Sequence, residues 1–234
     1  LGGGGAQLQP DLVSKIDAKV KTARPGTGYG MTETCGIITN ISGDFFVDKP
    51  ESCGPAVPTL ETKCVDANGV EVAQGEVGEL WVKGGPVIKG YLNRPEATAE
   101  SITDGWLHTG DVARIDEDGF IFIVDRVKDM VLRGGENIYC AEVESVVFKL
   151  DGVAECSVFG VEDDRLGEEV GIAIFPAAGT TLTAESIRAH CSAHMAKFKI
   201  PRYIWLMSEA LPRNASGKFL KRELRELLNV KDAV

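Results

Sequence analysis

The sequence predicts a mixed α/β and α+β protein, β-rich and barrel-like through its middle and closing in a small α+β module. Three observations predict it. Short apolar runs flank Asn68-Gly69, and others flank Asp118-Gly119; both dipeptides are strong hairpin-turn signals. After Asp125 the spacing of apolar residues alternates between helical and extended periods.

In chain order, Pro10-Asp11 opens a first helix, with Leu12, Ile16 and Val20 at helical spacing on one face, and Arg24-Pro25-Gly26 ends it. A Gly-rich segment around Tyr29 follows. From 37 to 124 the signals are mostly β: strands over 62–65 and 70–72, a third at Leu80-Trp81-Val82, and a pair over 112–115 and 120–124. Short strands with tight turns suit a small barrel or sandwich. Beyond 125, Val143, Val146, Val147 and Leu150 mark a helix face. Strands are expected over 156–161 and 170–175, and Thr183 caps a helix running to about Met195. A strand over 203–207 and a final helix lined by Leu220, Leu224, Leu227 and Leu228 complete the chain. The expected domains are 1–36, 37–124 and 125–234, with the main boundary at Asp125-Arg126.

A chain of 234 residues holds one or two domains with a sizeable core. Its formal charge of −10 argues against a general binder of nucleic acid or anionic membranes, while leaving room for a local basic pocket. No apolar run is long enough to span a bilayer, and no signal segment opens the chain. The opening Leu1-Gly2-Gly3-Gly4-Gly5, without Met, is expected of a chain that begins inside a longer gene product. Cysteines at 35, 53, 64, 140, 156 and 191 form no C-x-x-C pair and are expected as reduced thiols of a cytoplasmic protein.

Four segments carry chemistry: Gly28-Tyr29-Gly30-Met31-Thr32-Glu33, Gly105-Trp106-Leu107-His108-Thr109-Gly110-Asp111, Asp125-Arg126-Val127-Lys128-Asp129 and Ser216-Gly217-Lys218. Taken singly, these read as a Gly-rich turn, a surface Asp, a surface Arg and a solvated Lys. In this order and at these spacings they resemble the adenylate-forming superfamily, which includes acyl-CoA synthetases, peptide-synthetase adenylation domains and firefly luciferase. Gly90-Tyr91, Arg94-Pro95-Glu96-Ala97-Thr98 and Gly78-Glu79-Leu80 support the same register.

The resemblance implies that a carboxylate attacks the α-phosphate of ATP, giving an acyl-AMP that most members pass to a thiol. Two anions must meet, so such a site needs cations, a metal and oriented donors. The matching positions would take these roles as follows. Gly28, Gly30 and Met31 bring the backbone close to the nucleotide, and Tyr29 stacks on adenine. Thr32 donates to the α-phosphate and Glu33 holds Mg²⁺. Asp111 accepts from both ribose hydroxyls. Arg126, fifteen positions later and across the Asp118-Gly119 hairpin, faces the same ribose. Lys218 neutralises charge developing between carboxylate and phosphate, serving with Thr32 and Glu33 as a catalytic group.

Lys128 matches the family's hinge, about which a C-terminal lid domain turns between half-reactions. Gly134-Gly135-Glu136 would leave room for the narrow arm of CoA. Arg165, Lys199 and Arg202 are candidate contacts for CoA phosphates, although each taken singly reads as a solvated surface residue. The run Gly134-Gly135-Glu136-Asn137-Ile138-Tyr139 followed by Ala141-Glu142-Val143-Glu144 is closest to fatty-acyl and related CoA synthetases. Leu132 stands where luciferase has a catalytic Lys, which argues against oxidative light chemistry, and Cys140 stands where many relatives have Pro. His190, Cys191 and His194 have helical spacing but no second ligand pair, so a helix face is preferred to a metal site.

The family's upstream Ser/Thr/Gly-rich phosphate loop is not in the chain. The implied molecule is therefore the C-terminal part of an acyl-CoA synthetase using ATP, Mg²⁺ and CoA on a fatty or related hydrophobic acid, inactive alone. It would combine a remnant of the large adenylate-forming domain with the lid, and would associate as a homo-oligomer or swapped dimer. Two alternatives remain open: a ligase delivering to a carrier protein, and a non-catalytic fragment binding a nucleotide or partner.

Overall fold

Both turn dipeptides are built the same way. Gly69 and Gly119 take positive φ (76° and 81°), and the Asp three residues before each accepts two backbone N–H groups. Asp66 Oδ1 holds Asn68 and Val70 at 2.8 and 2.9 Å, and Asp116 Oδ1 holds Asp118 and Phe120 at 3.1 and 2.8 Å. An Asp side chain thus mimics a backbone turn while glycine absorbs the left-handed φ. The structure, a computed structural model, describes residues 2–3, 10–20, 22–214, 217 and 219–234. They divide into two compact units between Val127 and Lys128.

The first unit runs β1 (Gly2–Gly3), α1 (Pro10–Lys19), β2 (Gly26–Met31), β3 (Gly36–Ser42), α2 (Asp44–Asp48), β4 (Leu60–Val65), β5 (Val77–Gly84), α3 (Pro95–Ser101), β6 (Ile102–Thr103), β7 (Trp106–Ile115) and β8 (Ile121–Arg126). One sheet has the order β1-β2-β3, with β1 parallel to β2 and a register shift in the β2–β3 ladder between Tyr29 and Gly30. The other is antiparallel in the order β4-β5-β7-β6, with β8 also on β7. Strand alternation buries Leu80 and Val82 on one face of β5 and leaves Glu79, Trp81 and Lys83 half-buried on the other. Leu60, Cys64, Leu107, Ala113 and Ile121 join that core. Ile38 of β3 lies in it, and Tyr29 and Met31 of β2 pack against it.

The second unit runs β9 (Val131–Arg133), β10 (Glu136–Ile138), α4 (Cys140–Val147), β11 (Val153–Asp163), β12 (Gly167–Pro176), α5 (Ala184–His194), β13 (Tyr203–Leu206) and α6 (Lys221–Leu227). Its sheet has the order β10-β9-β12-β11, with β13 parallel to β12. Helices cover both faces. Val143, Val147, Ile187 and Cys191 of α4 and α5 meet Val158, Ile172 and Ile174; Leu224 of α6 meets Phe159, Ala173 and Trp205. β12 is consequently buried on both faces over most of its length. Thr183 caps α5 as expected, its side chain accepting from Ser186 N at 3.1 Å.

Several expectations shift. On α1 Val13 is fully buried and Ile16 half-buried, while Leu12, one residue and about 100° from Val13, is 44% exposed; Val20, half-buried, follows the end of the helix. Residues 70–72 form no strand: a bridge pairs Glu71 with Val65, and β4 takes β5 as its full-length neighbour. Leu227 is 70% exposed because it leaves the face shared by Leu224 and Leu228. An expected division after 36 falls inside the β2–β3 hairpin, whose residues share the core of the β4–β8 sheet. The first unit runs two residues past the expected boundary, because Arg126 still pairs with Asp111 and Val127 N donates to Gly110 O at 2.9 Å.

Candidate functional site

β2, β7 and β8 bring three of the expected residues into contact. The Tyr29 hydroxyl donates to Asp111 Oδ2 at 2.5 Å, and Arg126 Nε lies 3.2 Å from Asp111 Oδ1. Both carboxylate oxygens are therefore oriented from within the chain. Asp111 is 8% exposed, unusual for an Asp, and its charge is matched by Arg126 and by the phenol O–H. Burial, and then the Asp111 charge, push the Tyr29 phenol well above its ordinary pKa, so it stays a protonated donor.

The local backbone explains these placements. The shift after Tyr29 is held by Thr39, whose hydroxyl accepts from Tyr29 N at 3.2 Å and donates to Cys53 O at 2.6 Å. Gly30 is required by the neighbouring strand: a Cβ there would sit 1.9 Å from Gly36 O. Gly28 is similarly hemmed in by Thr39 O at 2.8 Å. The two glycines expected to admit a ligand are thus explained first by strand packing, with Met31 half-buried beside them.

Thr32 and Glu33 lie on a 3₁₀ turn over Thr32–Thr34, closed by Cys35 in the left-handed region at φ 54°. Thr32 is exposed and Glu33 half-buried. Glu33 Oε1 accepts the Tyr91 hydroxyl at 2.9 Å, and its backbone oxygen accepts Ile88 N at 2.8 Å. Tyr91 in turn is held by Thr98 Oγ, which accepts Tyr91 N at 2.9 Å. In the sequence Gly90-Tyr91 marks only the register; a hydroxyl aimed at Glu33 has no sequence signal. Glu33 keeps a second carboxylate oxygen for a cation. Among the described residues no group of three His, Cys, Asp or Glu could hold a metal; a single carboxylate oxygen is an anionic donor of the kind Mg²⁺ takes alongside phosphates and water.

In the second unit, Lys128 is exposed and is its first residue. Gly134 and Gly135 form the two-residue turn between β9 and β10 at φ 59° and 90°, which is why both are glycine. They and Glu136 are exposed, and a Cβ on Gly135 would meet nothing within 4 Å. The turn is anchored by Arg133, which pairs through two nitrogens with Glu169, at 2.6 and 3.0 Å. Two of the cations expected to meet CoA phosphates have partners. Lys199 bonds both oxygens of Glu142 at 2.6 and 2.7 Å, and Arg202 lies 3.2 Å from Asp163 and from Glu169. Arg165 is exposed. His190 and His194 contact the backbone oxygens of Val146 and His190, at 2.9 and 2.8 Å. None of the six cysteines is in a disulfide. Lys218 lies outside the described residues.

Residues 1–92 match the family model of the AMP-binding enzyme, and residues 142–218 that of the AMP-binding enzyme C-terminal domain. A 2-succinylbenzoate–CoA ligase of Bacillus cereus (strain ZK / E33L) is 40% identical over 226 residues, 97% of this chain and 45% of the relative. A 3-[(3aS,4S,7aS)-7a-methyl-1,5-dioxo-octahydro-1H-inden-4-yl]propanoyl:CoA ligase of Rhodococcus jostii (strain RHA1) is 40% identical over 224 residues, 95% of this chain and 41% of the relative. Among solved structures, o-succinylbenzoate CoA synthetase from Bacillus subtilis with its acyl-adenylate intermediate matches at TM-score 0.84 and 36% identity, covering 96% of this chain and 45% of that one. ATP-bound MatB from Rhodopseudomonas palustris matches at TM-score 0.87 and 36% identity, covering 96% and 44%.

The fold is thus part of the adenylate-forming fold, and the chain belongs to the AMP-binding enzyme family. It spans less than half the length of the curated relatives it matches. No helix among the described residues is long and apolar enough to cross a membrane.

Proposed function

We propose that the chain supplies the ribose-binding and thiol-accepting parts of an AMP-forming acid–CoA ligase. The reaction is carboxylate plus ATP to acyl-AMP and pyrophosphate, then CoA to acyl-CoA and AMP. The observation that carries this is Asp111, buried and with each carboxylate oxygen oriented by one neighbour. Each oxygen has a second lone pair, so the group can accept from two adjacent hydroxyls, as a ribose presents.

In this reading Tyr29 has two tasks, stacking on adenine and orienting Asp111, while Arg126 balances the carboxylate and faces the same ribose. Gly28, Gly30 and Met31 line the nucleotide's path, and Thr32 donates to the α-phosphate. Glu33 holds Mg²⁺, which when bound withdraws charge from the phosphates; Tyr91 fixes the Glu33 carboxylate. Lys218 serves adenylation, Lys128 is the hinge, and Gly134, Gly135 and Glu136 receive the CoA arm. Arg165, exposed, is the better placed of the cations for a CoA phosphate.

The acid is hydrophobic. The sequence favours a fatty chain, and the names of the relatives add ring-bearing acids, 2-succinylbenzoate and a bicyclic propanoate. The chain alone is expected to be inactive, since the phosphate loop lies upstream in the family. Six cysteines outside any disulfide fit a cytoplasmic location.

The test is acid-dependent ATP–pyrophosphate exchange across fatty and aromatic acids, on this chain and on the gene product that carries it. Exchange in the gene product with a hydrophobic acid, followed by transfer to CoA, supports the reading. Transfer only to a carrier protein would replace CoA as acceptor, and no exchange with any acid would overturn the ligase.

A further inference from the structure

Asp111 owes its position to an irregular stretch of β7. Glu79 pairs with Val112 and Trp81 with His108, so Leu80 alone on β5 faces Thr109, Gly110 and Asp111 on β7. A bulge with two extra residues removes their backbone groups from the ladder, and each needs another partner. Thr109 Oγ donates to Leu80 O at 2.7 Å and accepts from Asp111 N at 3.1 Å. Gly110, at φ 70°, has its oxygen taken by Val127 N at 2.9 Å. Its N–H is taken by a side chain, Glu79 Oε1, at 3.1 Å.

The other Glu79 oxygen accepts from the Trp81 indole N–H at 3.0 Å. Trp81 stacks on His108, the last residue before the bulge, with ring centroids 3.9 Å apart and planes 10° apart. Glu79 thus ties Gly110 to a ring seated on the residue that precedes the bulge.

We propose that Glu79 is a positioning residue for Asp111: by clamping Gly110 and Trp81 it sets the bulge that turns the Asp111 carboxylate between Tyr29 and Arg126. This rests on the ribose-binding reading of Asp111. Both groups facing Glu79 are N–H donors, so only a side chain with two acceptor oxygens satisfies both. Gln at the same volume sets an NH₂ against one of them.

The experiment compares KM for ATP and for 3′-deoxy-ATP in the gene product carrying this chain, as wild type, Glu79→Gln, Trp81→Phe, Asp111→Asn and Glu79→Gln/Asp111→Asn, with melting temperatures recorded. Trp81→Phe keeps a six-membered aromatic ring for the stack and removes the indole N–H with the five-membered ring that bears it, so it serves if Glu79→Gln folds poorly. The expected result is a rise of about tenfold in KM for ATP in Glu79→Gln with kcat nearly kept. The preference for ATP over 3′-deoxy-ATP narrows, Trp81→Phe shifts the same way, and Glu79→Gln adds little further loss in the Asp111→Asn background. If Asp111→Asn abolishes the ribose preference while folded Glu79→Gln and Trp81→Phe leave it intact, the positioning role is overturned and the ribose site stands. If Asp111→Asn itself leaves the preference unchanged, both fall.

Discussion

The Tyr29 hydroxyl donates to Asp111 Oδ2 at 2.5 Å across 82 positions of sequence, joining the β1–β3 sheet to the β4–β8 sheet. Burial keeps the phenol protonated, so it acts as a fixed donor to one oxygen of the carboxylate. The other oxygen faces Arg126, which shares a register position with Asp111.

Tyr29→Phe keeps the ring against the core and removes that one hydrogen bond to a charged acceptor, an interaction of about 1.5–3 kcal/mol. KM for ATP in the gene product is expected to rise at least tenfold, and the melting temperature to fall by a few degrees. Unchanged steady-state ATP kinetics would separate the bond from nucleotide binding.

Arg126 has a side chain nearly half exposed, so its pair with Asp111 contributes no more than about 1 kcal/mol to folding. Arg126→Ala should therefore leave unfolding by urea almost unmoved while weakening ATP use strongly. A large loss of stability with normal ATP kinetics would make the pair structural.

Glu169 is 2% exposed and anchors the β9–β10 turn through Arg133. Burial alone pushes its carboxyl up; hydrogen bonds and charge from Arg133, then Arg202, more than offset this and hold it below the usual value. Because the folded pKa is depressed, the stabilisation is complete above the unfolded value of about 4.3 and is lost as pH falls through the folded one. Glu169→Ala should cost the second unit roughly 3 kcal/mol at neutral pH, near the low end for a broken buried pair because Arg133 is partly exposed. The deficit should shrink in acid. Denaturant titrations at pH 7 and below pH 4 check both, and an equal deficit at each pH would contradict the pairing.

Gly135→Leu puts a side chain where φ is 90°, a strain of about 1–2 kcal/mol, but into open space. The gene product should keep acid-dependent pyrophosphate exchange and lose most CoA transfer. Lys218→Ala should do the reverse, losing exchange while converting supplied acyl-AMP to acyl-CoA. Equal loss of both half-reactions in either variant would refute the division of labour.

The site was legible where its logic is local. Asp118-Gly119 between alternating apolar runs announces the β7–β8 hairpin, which brings Asp111 and Arg126 to the same end; their direct pairing depends on a register shift between Val112 and Ala113, without which Arg126 would face Gly110. The Tyr29–Asp111 bond was not legible, because it depends on two sheets meeting through a shared core. Nor was the reason for Gly30: its missing side chain makes room for Gly36 O, a neighbour that exists only once β2 and β3 pair. Leu12 misled because a short amphipathic helix is ambiguous by one position until its partners, Ile41 and Phe46, are in place. Lys199 and Arg202 looked available because sequence does not reveal that Glu142, Asp163 and Glu169 stand beside them.

Acid-dependent ATP–pyrophosphate exchange in the gene product carrying this chain, wild type against Asp111→Asn, probes the ribose site at Asp111. Exchange with a hydrophobic acid is expected in the wild type, and a fall of at least a hundredfold at subsaturating ATP in the variant, about 2.7 kcal/mol of lost binding to the ribose. Equal exchange in both proteins would contradict the ribose-binding role of Asp111.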